Sequence, residues 1–195
     1  MEMLDLLRSS WSTCTRCRLH EGRGCVVFGS GLPTAKLMVV GEGPGANEDQ
    51  NGVPFCGASG AVLDGVLKFL GIVRRQLFVT NIVLCRPPGN RDPRPDEQEA
   101  CWPRFVNTVD IVQPSCLLLL GAPAARRVLG REVHITKECG NKGKVVIGER
   151  EMDYVTCLHP AYVLRNTTDA RVRAQFVDAV RCAWDAANEY DKIPF

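Results

Sequence analysis

The chain has 195 residues, 45% of them hydrophobic and 24% charged, which suits one globular domain with a sizeable core and excludes a disordered chain. Its formal net charge of +2 announces no nucleic-acid binder, so any basic face must be local. No apolar run reaches the roughly 18 residues of a membrane span, and the start, MEMLDLLRSSW, lacks the features of a signal peptide; a cytoplasmic protein without membrane contact is expected.

Ten cysteines in a reducing compartment read as metal ligands plus small buried hydrophobes rather than disulfides. Asn166-Thr167-Thr168 matches a glycosylation acceptor by pattern only.

In chain order, residues 4–11 suit a short helix running into Cys14-Thr-Arg-Cys17, where two thiols face one way. Residues 25–28 read as a short apolar strand closed by a Gly-Ser-Gly turn, and 36–40 as a buried strand. A polar, glycine-rich loop, GEGPGANEDQNGVPFCGASG, fills 41–60, and a helix follows at 59–70 with Leu63 and Leu67 on one face. Residues 76–84 form a second β-branched strand interrupted by Asn81, a polar group that must find a partner or be offered to a ligand. The rigid basic loop CRPPGNRDP leads into a helix from Pro95 that Pro103 is expected to kink or restart. A strand at 115–120, a helix at 122–129, and loop and strand over 131–150 come next. The strand at 153–158 delivers His159-Pro160, and a last helix spans 169–190, capped by Thr168. This alternation gives an α/β fold, a parallel sheet with helices on both faces.

Loop 41–60 sits where open α/β sheets place their chemistry, after a strand's carboxyl end. Gly41 and Gly43 begin a dinucleotide fingerprint, but Pro44 removes a backbone donor and Glu42, Glu48 and Asp49 oppose phosphate. It is therefore an active-site loop rather than a nucleotide loop. Cys14, Cys17, Cys85 and Cys101 stand among polar residues and form the favoured metal set; spacing alone leaves zinc and an iron-sulfur cluster both open.

Several motifs in register, namely Cys14-x-x-Cys17, VVFGSG, VVGEGPGANEDQNGVPFCG, TNIVLCRPPGNRDP, Cys101, LLLLG and LHPAYVLRN, resemble the family 4 uracil-DNA glycosylases, the iron-sulfur type. The resemblance implies a three-layer α/β/α sandwich around a central parallel sheet, and a 4Fe-4S cluster on Cys14, Cys17, Cys85 and Cys101. It implies that Gly43 and Phe55 hold an extruded uracil, Phe55 by stacking, that Asn81 reads its pairing edge and that His159 faces its O2. Glu42 first and Glu48 second fall at the family's acidic positions, expected to orient water or steady the sugar cation. Segment 161–165, with Ala161, Leu164 and Arg165, corresponds to the wedge. Arg86 and Arg91, with Arg94, Arg171 and Arg173, are expected to meet phosphate.

The implied partner is uracil-containing DNA, single or double stranded, met by a monomer that is nucleoid-associated when on DNA. Departures from the family stand at Gly43, Cys56 and Ser59, which leave room for a different base such as hypoxanthine or xanthine, and at Glu138-Cys139-Gly140, which replaces a basic element and speaks against family-like DNA contacts in the loop 136–143. A relative that traps its product on a histidine is disfavoured, because no histidine lies between Asn81 and Cys101. A non-catalytic iron-sulfur DNA-binding or redox-sensing module is the alternative from another class.

Overall fold

The computed structural model describes residues 2–189; the expected end of the last helix at Tyr190 lies outside them. The elements are α1 (Glu2–Trp11), β1 (Ser30–Gly31), β2 (Leu37–Gly41), α2 (Ala46–Asn51), α3 (Ala58–Phe69), β3 (Phe78–Asn81), α4 (Pro95–Val112), β4 (Cys116–Leu120), α5 (Ala122–Leu129), α6 (Ile135–Glu138), β5 (Lys142–Ile147), β6 (Arg150–Cys157), α7 (Pro160–Arg165) and α8 (Ala170–Asn188). Among the described residues no helix is long and apolar enough to cross a membrane.

The strands form one sheet in the order β1-β3-β2-β4-β6-β5. Its four inner strands are parallel, as the alternation requires, while both edges run antiparallel, which the pattern did not reveal. Inner strands such as LMVVG and CLLLL are buried at every position because helices cover both faces. Met38, Val40, Leu117 and Leu119 pack toward α1, α4 and α5, and their neighbours Leu37, Val39, Leu118 and Leu120 toward α3, α7 and α8. The chain leaves β2 for β3 on one side and later returns to β4 on the other, so a crevice opens at the carboxyl end of β2.

Several expectations need correction. Residues 25–28 are not a strand: Val27 donates to the Leu84 carbonyl (2.9 Å), the Phe28 carbonyl accepts from Thr80 Oγ1 (2.9 Å), and the edge strand is Ser30–Gly31. β3 stops at Asn81 because Ile82 and Val83 turn to the Gly41 and Glu42 carbonyls beyond the ladder. The glycine-rich loop contains a helix, α2, whose buried acids face backbone rather than solvent. α4 runs on through Pro103, since Cys101, Arg104 and Phe105 anchor both sides of it in the core. The cap of α8 is Asp169, not Thr168: its Oδ1 accepts from Arg171 N (2.8 Å) and Val172 N (3.4 Å).

Phe55 takes a left-handed backbone (φ 51°), and the start of α3 closes over it. A Cβ on Gly60 would fall on the Phe55 carbonyl. Alanine at this helical site would gain up to ~1 kcal/mol of propensity, but the clash with backbone costs roughly 1–3 kcal/mol. Gly60→Ala should therefore lower the melting temperature by several degrees; calorimetry showing no decrease would refute this packing account.

Candidate active site

A cleft of about 590 Å³ lies over the carboxyl ends of β2, β3, β4 and β6. Glu42, Gly43, Glu48, Phe55, Asn81, Arg91, His159, Ala161 and Arg165 line it, bringing together residues spread over more than half the chain. Arg86 and Leu164 are not among the lining residues; Leu164 is 41% exposed on α7 beside the cleft.

Gly41 and Asn81 are register partners at the ends of β2 and β3. A Cβ on Gly41 would collide with Asn81 Oδ1 and stand 2.6 Å from the Phe55 ring, so the missing side chain lets amide and ring close on the strand end. Asn81 is 1% exposed, and its Oδ1 has no hydrogen-bond partner among the described residues. Buried acceptors are almost always paired, so this open oxygen is an exception in the fold.

Glu48 reaches the cleft with both oxygens already engaged. Oε2 accepts from Gly45 N (3.1 Å) and Oε1 from Gly57 N (2.9 Å), bracing the two limbs of the loop. Asp49 does the same toward Gly24, whose N–H it accepts at 2.9 Å. Glu42 is the less committed carboxyl. Burial, and then the charge and hydrogen bond of Asp92, raise its pKa to about 7, with Arg126 working the other way. Asp92 and Arg126 line the cleft and went unread in the sequence, because nothing in CRPPGNRDP or in the α5 segment shows which side chains turn back toward Glu42.

His159 follows β6 and starts α7. Its Nδ1 accepts from Ala161 N (3.2 Å), so the ring carries its proton on Nε2. Gly121 (φ 90°) lies against it; a Cβ there would be 3.1 Å from His159 Cβ. The Phe55 and His159 ring centroids are 6.1 Å apart. Burial first, then Arg165, push the His159 pKa down to about 4, with Glu48 opposing.

The basic loop is held rather than free. Arg91 forks onto Glu97 (2.8 and 2.6 Å), whose Oε2 also accepts from Arg94 N (2.7 Å), and Arg86 Nε donates to Asn90 Oδ1 (2.7 Å). Of the departures, Gly43 and Ser59 line the cleft; Cys56 is exposed outside it, and Glu138 is turned to Arg131 and to the His134 N–H.

Cys14, Cys17, Cys85 and Cys101 line a second, small pocket beneath α1 and α4, with Trp11 and Leu84 as its apolar wall. Arg23 Nη1 reaches Cys85 Sγ (3.4 Å) and the Cys14 carbonyl (2.5 Å). Burial raises the Cys17 and Cys101 thiols and pushes Cys85 up to about 11, with Arg23 opposing at Cys85. Among the described residues no three His, Cys, Asp or Glu side chains close on one point as a single ion requires.

The His159 ring should stay neutral in the folded protein until about pH 4, whereas the unfolded chain takes up this proton near 6.5. Its contribution to stability is thus complete above pH 6.5 and is lost as the pH falls toward 4. Ring nitrogen NMR checks both points; a His159 that titrates near 6.5 in the native state contradicts them.

Residues 28–182, which include all four strand ends at the cleft, match the family model of the uracil DNA glycosylase superfamily. The chain is 37% identical over 169 residues to the type-4 uracil-DNA glycosylase of Thermotoga maritima, covering 86% of each. To the type-4 uracil-DNA glycosylase of Sulfurisphaera tokodaii it is 38% identical over 171 residues, 85% of this chain and 78% of the relative. To that of Archaeoglobus fulgidus it is 36% identical over 168 residues, 84% of each. On the length of the match and the identity of these relatives, the chain belongs to the uracil-DNA glycosylase superfamily and, within it, to the type-4 uracil-DNA glycosylases.

Proposed function

We propose that the chain releases uracil from DNA by hydrolysing the N-glycosidic bond and leaves an abasic site. The observation that carries this reading is the unpaired Asn81 Oδ1 in a cleft shared by the Phe55 ring and the His159 imidazole. A base lodged there has left its stack, at a cost of a few kcal/mol, and stacking on Phe55 offsets part of it. Asn81 accepts from uracil N3–H through Oδ1 and donates to O4 through its amide nitrogen. Cytosine reverses that order and would leave buried polar groups facing like partners.

Cleavage places negative charge on the leaving base and positive charge on the sugar. The neutral His159, its Nδ1 taken by the α7 backbone, donates Nε2–H toward O2 and steadies the leaving anion. Glu42 is the carboxyl left to orient water or face the sugar cation. Glu48, with both oxygens on backbone N–H groups, is read as the brace of the loop instead of a second base. Exposed Arg165 and Leu164 on α7, with Ala161 at its start, form the DNA-facing edge; Arg91 and Arg86 shape the loop through Glu97 and Asn90.

The thiols fit a 4Fe-4S cluster. Four of them line one pocket, as a cluster held by four cysteines needs, and the type-4 resemblance favours iron-sulfur over zinc. Its ligands come from α1's hairpin, the basic loop and α4, so when bound it would cross-link these segments; hydrolysis needs no redox step from it.

Oligonucleotides carrying one uracil, single and double stranded, should become alkali-labile, and panels with hypoxanthine or xanthine test base choice. Asn81→Ala and His159→Ala should each lower the rate by roughly 100- to 1000-fold; unchanged rates would remove their assigned roles. The rate should also fall as pH drops below about 7, because Glu42 then takes up a proton. Asp92→Asn removes a group that raises this pKa, so the limb should shift to lower pH; a limb that stays in place would assign it to another group.

A further inference from the structure

Helix α4 carries a stripe of buried polar side chains, Glu97, Cys101, Arg104 and Thr108, at spacings that place them on one face. Glu97 is paired with Arg91, and Thr108 donates to the Arg104 carbonyl (2.9 Å). Arg104 is different. It is 0% exposed, and among the described residues no carboxylate pairs with it. It stands one turn beyond Cys101 on the same helix.

The guanidinium spans the gap from α4 to β3. Nη1 donates to Thr80 Oγ1 (3.2 Å), and Nη2 to the carbonyls of Asn81 (2.7 Å) and Ile82 (2.9 Å), while Nε–H finds no acceptor. An unbalanced buried cation is among the least favourable groups a core can hold. Apolar packing gives no reason to keep one here.

We propose that Arg104 is a positioning residue that ties the cysteine site to the base-reading strand. One turn beyond Cys101 on α4, the guanidinium fixes the Asn81 and Ile82 carbonyls, which lie four and three residues before Cys85, and with them the Asn81 amide. This rests on the glycosylase and cluster readings above. Arginine suits the task because its planar fork donates from two nitrogens held apart, Nη1 and Nη2, whereas an ammonium donates from one.

Arg104→Lys and Arg104→Met, purified beside the wild type, test it through iron and sulfide content, resistance of the visible absorbance to a chelator, and kcat and KM on a uracil oligonucleotide. Arg104→Met should lose iron to the chelator roughly 10- to 100-fold more readily. Arg104→Lys has one nitrogen in place of two to meet these acceptors, and its kcat should fall by roughly 10- to 100-fold with KM little changed. If Arg104→Met does not fold, Arg104→Lys alone decides.

Folded variants with wild-type iron retention and kcat overturn the proposal, as does a change confined to KM. Wild-type protein without iron would overturn the cluster reading, and kcat alone would then judge the tie. Wild type that holds iron but releases no uracil would sink the glycosylase reading alone, since iron retention still judges the tie.

Discussion

The site depends on what Gly41 lacks. At the last residue of β2, the space a methyl group would fill is already taken by the Asn81 amide and the Phe55 ring, one from the neighbouring strand and one from a turn beyond α2. Any side chain there would part the amide from the ring. Gly60 makes the matching allowance from below, admitting the Phe55 backbone against α3. Glu48 and Asp49 then lock the loop with charged acceptors on N–H groups, interactions about twice as strong as neutral ones. The acids that first set this loop apart mostly hold it in shape.

Burial inverts the usual order of the two titrating groups. In water an imidazole holds its proton to higher pH than a carboxyl does; here Glu42 stands at about 7 and His159 at about 4. At neutral pH the site therefore offers a neutral donor on one side and a partly ionised carboxyl on the other. Such a division suits a reaction that separates an anionic base from a cationic sugar. It also keeps a second full negative charge away from a backbone of phosphates.

α4 is the beam between this cleft and the cysteines. Its first turn holds the basic loop through Glu97 and Arg91, its middle contributes Cys101, and one turn further Arg104 grips β3 beside Asn81. A loop with three prolines and a glycine is thus held where it enters the helix, by Glu97 on Arg91 and on the Arg94 N–H. Asp92 rides on that loop, which is how a segment remote from β2 comes to add to the effect of burial on the proton affinity of Glu42.

Much of this was legible in one dimension. Continuous apolar runs announce buried parallel strands because such strands meet helices on both faces, and Asn81 and His159 stand out where those runs end. The ten cysteines divide by the polarity of their neighbours, and Cys14, Cys17, Cys85 and Cys101 do share one pocket. Other features had no local sign. The edge strand at Ser30 depends on a partner some fifty residues away, and α4 passes Pro103 because tertiary contacts on both sides outweigh one lost hydrogen bond. The pairing of Asp92 with Glu42, the engagement of Arg91 by Glu97 and the burial of Arg104 are likewise relations between distant segments. Sequence alone determined the inner strands, the longer helices and the residue types gathered at strand ends, since these follow from periodicity and side-chain chemistry. Only the tertiary structure decided which charges meet, because proximity sets both the pKa of a carboxyl and the partner of a guanidinium.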